Sequence, residues 1–251
     1  MIPILFKIGP FTVYTYGVLI ALGLFVALQY LLALTRKHGI DDGKIMDVVL
    51  VALLSGFAGA RLTYVLFNLR DYLGHPLDVL KIWQGGLVFY GGFLSGAVTA
   101  AAFVYYKKTM PPWTLADLMA PAIALAHVFG RLGCFAAGCC YGSLSDAPWA
   151  VTFRSASCLA HTGVSLHPAQ LYEAAGNFAV FIALDRMVRR PHKQGEVFGW
   201  YLLFYSVVRF VSEFFRGDER GSFIYRLSPG QLIAIAAFIL SVVIIWRRRH
   251  V

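Results

Sequence analysis

Arg131 stands near the end of an apolar run, inside Ala126-His-Val-Phe-Gly-Arg-Leu-Gly-Cys-Phe-Ala-Ala-Gly-Cys-Cys-Tyr-Gly142. A guanidinium does not give up its proton, so at membrane depth it requires a phosphate, a carboxylate, carbonyls or water beside it. Arg209 is a second such residue and Arg61 a third, and the planar fork of each matches phosphate oxygens in a bidentate manner. For Arg209 an internal ion pair competes with that reading. Glu213 follows it at the i, i+4 spacing that puts both side chains on one helix face.

Other polar groups gather at a second place. His167-Pro-Ala-Gln-Leu-Tyr-Glu173 opens another apolar segment, where Pro168 suits a first helical turn and Glu173 sits favourably near a helix's positive end. Helix initiation does not account for Gln170, Tyr172 and Glu173 together. Cys134, Cys139, Cys140 and Cys158, with His161 and His167 nearby, invite a metal, but the spacing lacks the paired C-x-x-C of a zinc ribbon. Buried free thiols, or a disulfide on an oxidising face, fit the four cysteines better, and neither a metal nor a cofactor is expected. Tyr90 and His127 are potential proton-transfer groups. His127 lies one helical turn before Arg131, and Tyr90 stands between the doublets Gly85-Gly86 and Gly91-Gly92, which favour a broken or re-entrant segment.

These residues must be positioned by membrane-embedded helices. With 59% hydrophobic and 14% charged residues and a mean hydropathy of +0.67, the 251-residue chain is too apolar for an ordinary soluble domain. The apolar stretch near the N-terminus runs as long as a full span, so it is read as mature protein and not as a cleaved leader. Seven segments qualify as spans: 12 to 34, 46 to 67, 86 to 106, 115 to 135, 170 to 188, 196 to 215 and 230 to 246. The odd number puts the termini on opposite sides. Loops on one side carry twelve Lys and Arg, among them Arg36, Lys107, Arg189 and Arg247, and those on the other carry seven, Lys7, Arg70, Lys81, Arg154, Arg216, Arg220 and Arg226. The richer side is cytoplasmic, which places the N-terminus outside and the C-terminus inside. The fold class is therefore an all-α polytopic membrane protein of seven transmembrane helices. Residues 1–251 form one domain, with 136–169 as a small outward-facing cap in which Trp149-Ala-Val-Thr-Phe153 alternates as a short strand does.

Six motifs in order resemble one family, the bacterial prolipoprotein diacylglyceryl transferases. They are Tyr14-Thr-Tyr-Gly17, Gly59-Ala-Arg-Leu-Thr-Tyr64, Gly85-Gly-Leu-Val-Phe-Tyr-Gly-Gly92, Gly130-Arg-Leu-Gly-Cys-Phe-Ala-Ala-Gly-Cys-Cys-Tyr-Gly142, His167-Pro-Ala-Gln-Leu-Tyr-Glu173 and Arg209-Phe-Val-Ser-Glu-Phe-Phe-Arg216. The resemblance implies transfer of a diacylglyceryl group from phosphatidylglycerol to the lipobox cysteine thiol of a prolipoprotein, with glycerol phosphate released. It implies a bacterial plasma (inner) membrane location, with the site toward the periplasmic leaflet. By motif position Arg131 and Arg209 resemble the phosphate-binding arginines, Glu213 the carboxylate orienting Arg209, and Tyr16 a site tyrosine of the first span. Gln170, Tyr172 and Glu173 resemble the polar cluster beside them, Gly142 matches the glycine closing the signature, and Cys134 falls at a substrate-binding position. Two departures fall at the site. Many members carry His where Tyr90 stands, leaving Tyr90 as the candidate catalytic group there, and the usual Asn-Phe-x-Asn-x-Glu is here Cys134-Phe-Ala-Ala-Gly-Cys139.

Composition and charge also narrow the alternatives. The formal charge of +9 comes mostly from residues flanking spans, where anionic headgroups are the nearer partner, so nucleic acid is not expected. A divergent paralogue or a phospholipid-binding protein without turnover is the other reading the cysteine and Tyr90 departures permit. An anion transporter should show inverted repeats and paired broken helices, and no such repeat stands out.

Overall fold

Seven apolar runs become seven long helices in the computed structural model, which describes residues 2–9, 11–81, 85–218 and 227–250. Arg220 and Arg226, two of the outward charges counted above, lie outside the described residues. The helices are α1 (Thr15–Lys37), α2 (Asp42–Phe67), α4 (Phe89–Lys107), α5 (Pro112–Ala137), α6 (Ala169–Val188), α7 (Glu196–Glu213) and α8 (Pro229–His250), with a five-residue α3 (Leu69–Leu73) after α2. Four of them, α1, α2, α5 and α8, are long and apolar enough to cross a membrane. The protein is a polytopic membrane protein of mostly helical structure. Helices α6 and α7 are more polar because they carry the buried Gln170, Glu173, Asn177, Arg209 and Glu213. Phe25, Leu54, Phe57 and Ile239 are each more than half exposed, an arrangement suited to lipid and not to water.

The first span begins later than the sequence suggests. Residues 11–14 belong to strand β2 (Phe11–Tyr14), which pairs antiparallel with β1 (Ile4–Ile8), and Gly9 turns between them at φ +56. Helix α1 follows directly, with the Thr15 amide donating to the Pro3 carbonyl at 3.0 Å. The apolar residues of β2 had merged with the helix in the hydropathy pattern.

The chain divides into two compact units, Met1–Leu31 with Ala116–Val251, and Leu32–Leu115. In the second unit α2 and α4 meet along a seam of small residues. A Cβ on Gly59 would lie 1.9 Å from Ser95 Oγ and one on Gly91 would lie 2.0 Å from Thr63 Oγ1, so the backbones approach only because both are glycine. Ser95 Oγ crosses the seam to donate to the Ser55 carbonyl at 3.0 Å. The Gly91-Gly92 doublet is thus packing within a continuous helix. Only the first doublet is irregular, Gly85 and Gly86 holding φ of +85 and +73 ahead of α4.

Arg61 organises that irregular stretch. It is 6% exposed, and its five N–H groups face five backbone carbonyls: Nε to Val79 at 2.8 Å, Nη1 to Gly85 at 2.8 Å and Gly86 at 3.2 Å, and Nη2 to Asp78 at 2.7 Å and Lys81 at 3.4 Å. The expectation of a third phosphate-binding arginine is corrected here. Every donor of Arg61 has a backbone acceptor, so the side chain ties the 3-10 turn Pro76–Leu80 to the glycine doublet.

In the first unit, α6 packs on α7 and α7 on α8. Asp117, on α5, accepts from the Gly195 amide at 2.6 Å and the Phe198 amide at 2.8 Å, satisfying orphan donors at the start of α7. That contact fixes the height of α7 against α5. Tyr30 Oη donates to Asp185 at 2.7 Å and ties α1 to α6. Between α5 and α6 the expected cap has its own small core of Phe153, Ala160 and Leu166, with Phe135, Tyr141, Val151 and Cys158 against it. Two short strands, β3 (Val151–Thr152) and β4 (Ser165–Leu166), pair antiparallel there, within the alternating stretch.

Candidate active site

Helix periodicity delivers the first residues. Gln170, Glu173 and Asn177 follow at i, i+3 and i+7 on one buried face of α6, and Arg209 and Glu213 share a face of α7. The two helices meet, and a single carboxylate closes the gap between them.

Glu173, 1% exposed, is shared by three guanidinium groups. Its Oε1 lies 3.1 Å from Arg209 Nη1, and its Oε2 lies 3.0 Å from Arg131 Nε and 3.6 Å from Arg216 Nη1. Arg209 reaches Glu213 as its spacing predicts, Nη2 to Oε2 at 2.9 Å. Arg216 grips Asp218 through two nitrogens, Nε to Oδ1 at 3.0 Å and Nη2 to Oδ2 at 2.9 Å. Three arginines thus face three carboxylates. Buried pairs of this kind contribute little net stability against an apolar packing, but removing one partner leaves an uncompensated charge.

Arg131 differs from its neighbours in one respect. Its contacts run through Nε, to Glu173 and to His127 Nε2 at 3.3 Å, and its side chain keeps 14% exposure. Among the described residues its two terminal nitrogens, with four N–H groups, have no partner. A tetrahedral anion needs that edge of the fork.

The start of α8 completes the Arg209 side of the site. Ser228-Pro-Gly-Gln231 forms a capping box, with the Ser228 amide donating to Gln231 Oε1 at 3.0 Å and the Gln231 amide to Ser228 Oγ at 3.2 Å. Ser228 Oγ itself donates to Glu213 Oε1 at 2.6 Å. A Cβ on Gly230 would lie 2.6 Å from Arg209 Nη2, so glycine lets the helix start approach the ion pair. Sequence reasoning missed Ser228, Gly230 and the inward role of Arg216, although the S-x-x-Q signature was there to be read.

Other expected residues hold the frame. Gly142 bridges Arg216 in an antiparallel contact, and a Cβ there would stand 2.2 Å from the His167 carbonyl oxygen. Its part is close backbone approach. Tyr172 Oη accepts from Trp149 Nε1 at 2.6 Å and meets His167 Nδ1 at 3.2 Å, joining cap to helix. Gln170, fully buried, donates from Nε2 to the Cys139 carbonyl at 2.8 Å, while its Oε1 has no partner among the described residues. The Tyr16 ring lies over Gly133, where an added Cβ would sit 3.1 Å from Tyr16 Cδ2, and so beside Cys134. Tyr90, on the first turn of α4, belongs to the other unit and is 47% exposed.

All four cysteines are free. The fold brings three of them together: the sulfurs of Cys134, Cys139 and Cys140 lie within 4.8 Å of one another, whereas Cys158 packs in the cap core. The neighbouring Cys134 and Cys139 thiols, with the Arg216 and Arg131 charges behind them, hold the Cys140 thiol below the ordinary thiol range, and the Cys139 thiol donates to the Cys134 carbonyl at 3.7 Å. Burial pushes the Asp218 carboxyl up against the pull of Arg216.

Residues 3–247 match the family model described as prolipoprotein diacylglyceryl transferase. The phosphatidylglycerol–prolipoprotein diacylglyceryl transferase of Clostridium tetani is 34% identical over 96% of this chain and 96% of its own length. Its counterparts in Geobacter sulfurreducens and Mannheimia succiniciproducens are 35% and 33% identical, each over 98% of this chain and over 96% and 94% of their own lengths.

Proposed function

Because this chain belongs to the prolipoprotein diacylglyceryl transferase family, we infer that it transfers the diacylglyceryl group of phosphatidylglycerol to the lipobox cysteine thiol of a prolipoprotein. The thiol loses its proton, sulfur bonds to the lipid glycerol carbon, and the carbon–oxygen bond pair leaves with glycerol phosphate. The observation that carries this reading is that the terminal N–H groups of Arg131 have no hydrogen-bond acceptor among the described residues, beside a carboxylate already shared with Arg209 and Arg216.

Arg131 holds the phosphate of phosphatidylglycerol and stabilises the charge that grows on it as the bond breaks. Arg209, with Glu213 and Glu173 fixing its fork, adds positive potential from behind. Gln170, Tyr172 and Gly142 position the loop and the helix start that frame the headgroup, with Tyr16 and Cys134 on the neighbouring face. Tyr90 is a further candidate for proton transfer. Its hydroxyl has no hydrogen bond among the described residues.

Seven spans with the N-terminus outside fit the seven long helices and the twelve-to-seven distribution of Lys and Arg. This orientation puts the cap and the arginines toward the outer leaflet of the bacterial plasma membrane, where an exported precursor arrives. Both compact units are taken as one transferase domain, since the family match runs through both.

The test uses the full-length chain purified in detergent, phosphatidylglycerol labelled in its acyl chains, and a lipobox peptide. Label should move to the peptide, and a peptide with Ser in place of the lipobox Cys should accept none. Tight phosphatidylglycerol binding without label transfer would replace this reading with that of a lipid-binding protein.

A further inference from the structure

We propose that Cys134, Cys139 and Cys140 bind a zinc ion through three thiolates and leave its fourth position to the incoming acceptor thiol. This deepens the transferase reading and rests on it for the identity of the fourth ligand.

The first support is geometric. Tetrahedral zinc with Zn–S bonds of about 2.3 Å holds its sulfurs about 3.8 Å apart. The three Sγ atoms lie within 4.8 Å of one another with no disulfide among them, so modest rotamer adjustment closes the shell. No His, Asp or Glu joins the cluster among the described residues, which leaves one tetrahedral corner open. Three protein ligands with an open position is the pattern of a catalytic zinc, not a structural one.

The second support is how the chain makes the cluster. Cys134 comes from the last turn of α5, after which the backbone reverses through Gly138 at φ +77 and Cys140 at φ +58. A non-glycine residue in the left-handed region is uncommon and costs energy. The reversal brings the two later thiols back to the first, and the Gln170 amide clamps the Cys139 carbonyl at 2.8 Å to hold it. Three thiolates around a dication carry one net negative charge. The guanidinium groups of Arg131, three residues before Cys134, and of Arg216, whose backbone bridges Gly142, stand near enough to offset it.

The third support is chemical need. A thiol must lose its proton before it attacks carbon, and the nearby imidazoles are engaged: His127 Nε2 accepts from Arg131, and His167 meets Tyr172. Coordination removes the proton to water as the thiol binds zinc. The bound sulfur then gives its lone pair to the lipid glycerol carbon while the departing oxygen takes the carbon–oxygen pair with the phosphate. The thioether product is a poor zinc ligand and dissociates.

Metal uptake is measured first, on the full-length protein in detergent, reduced and stripped with a chelator. Co2+ serves as the probe because thiolate-to-cobalt charge transfer absorbs where zinc is silent. About one Co2+ should bind per chain with that absorption, Zn2+ should displace it, and elemental analysis after gel filtration should find the zinc. Cys134→Ala, Cys139→Ala and Cys140→Ala should each lose the band, while Cys158→Ala keeps it. A lipobox peptide should alter the visible cobalt bands, and its Ser counterpart should leave them unchanged. Negligible uptake by the reduced wild-type chain overturns the proposal, as does undiminished binding by Cys140→Ala. Equal transfer rates with metal-loaded and metal-free enzyme overturn the role of the fourth position while leaving the transferase reading intact. Metal uptake with a peptide-induced band shift but no lipid transfer supports the site and removes the transferase reading.

Discussion

Arg61 and Arg131 are the same side chain on apolar helices, and the protein solves the two in opposite ways. Arg61 commits all five donors to carbonyls between Asp78 and Gly86, so the charge is consumed in shaping a loop. Among the described residues Arg131 hydrogen-bonds and ion-pairs through Nε alone, and the carboxylate it reaches is divided with Arg209 and Arg216. Saturation marks structure and an unfinished hydrogen-bond shell marks function. A buried guanidinium in a membrane protein is therefore interpreted by counting its acceptors, not by its depth.

The comparison breaks most readily at its shared element. Glu173→Gln removes the one anion common to three guanidiniums, and we expect a loss of about 3 to 5 kcal/mol, read as a fall in the thermal inactivation midpoint in detergent. An unchanged midpoint would mean that the three arginines do not depend on one carboxylate. Next comes Arg131→Ala, which should reduce transfer per folded molecule by about a hundred- to thousand-fold, near 3 to 4 kcal/mol, with a smaller fall in the melting midpoint than Glu173→Gln because Arg209 and Arg216 still face Glu173. Arg131→Lys should recover only part of it, since a point charge cannot present a fork. The mirror experiment is Arg61→Gln. Stranding several carbonyls should cost about 1 to 3 kcal/mol of stability and make the backbone at Asp78–Lys81 and Gly85–Gly86 more open to protease, with transfer per folded molecule kept. If Arg61→Gln instead silences the folded enzyme, the contrast between the two residues is wrong. Smallest is Tyr90→Phe, expected to slow transfer less than about threefold because the hydroxyl has no hydrogen bond among the described residues; a loss of about a hundredfold would mark it as the general base.

Legibility in the sequence followed how local each interaction is. The long helices could be read because burial in lipid writes itself into runs of apolar residues. The β1–β2 hairpin could not, because Val13 and Tyr14 extend the apolar run that α1 begins. Arg209 with Glu213 was legible from one helix's geometry. The joining of Arg131, Arg209 and Arg216 at Glu173 was not, since partner choice between helices is decided by packing. Arg61 was misread for a related reason: its acceptors are backbone carbonyls, which every residue has and no sequence displays. The gathering of Cys134, Cys139 and Cys140 was not legible, because spacing counted along the chain ignores a reversal through a left-handed Cys140.

Helix α8 braces a charge pair to which it contributes no charge. Ser228 supplies a hydrogen bond to Glu213, and the backbone at Gly230 lies against Arg209, so α8 closes the third side of an ion pair whose other partners stand on α6 and α7. A nascent chain lacking that helix has its arginines incompletely braced. A chain cut before Ser228 therefore loses the hydroxyl and the close backbone that hold Glu213 and Arg209 in register.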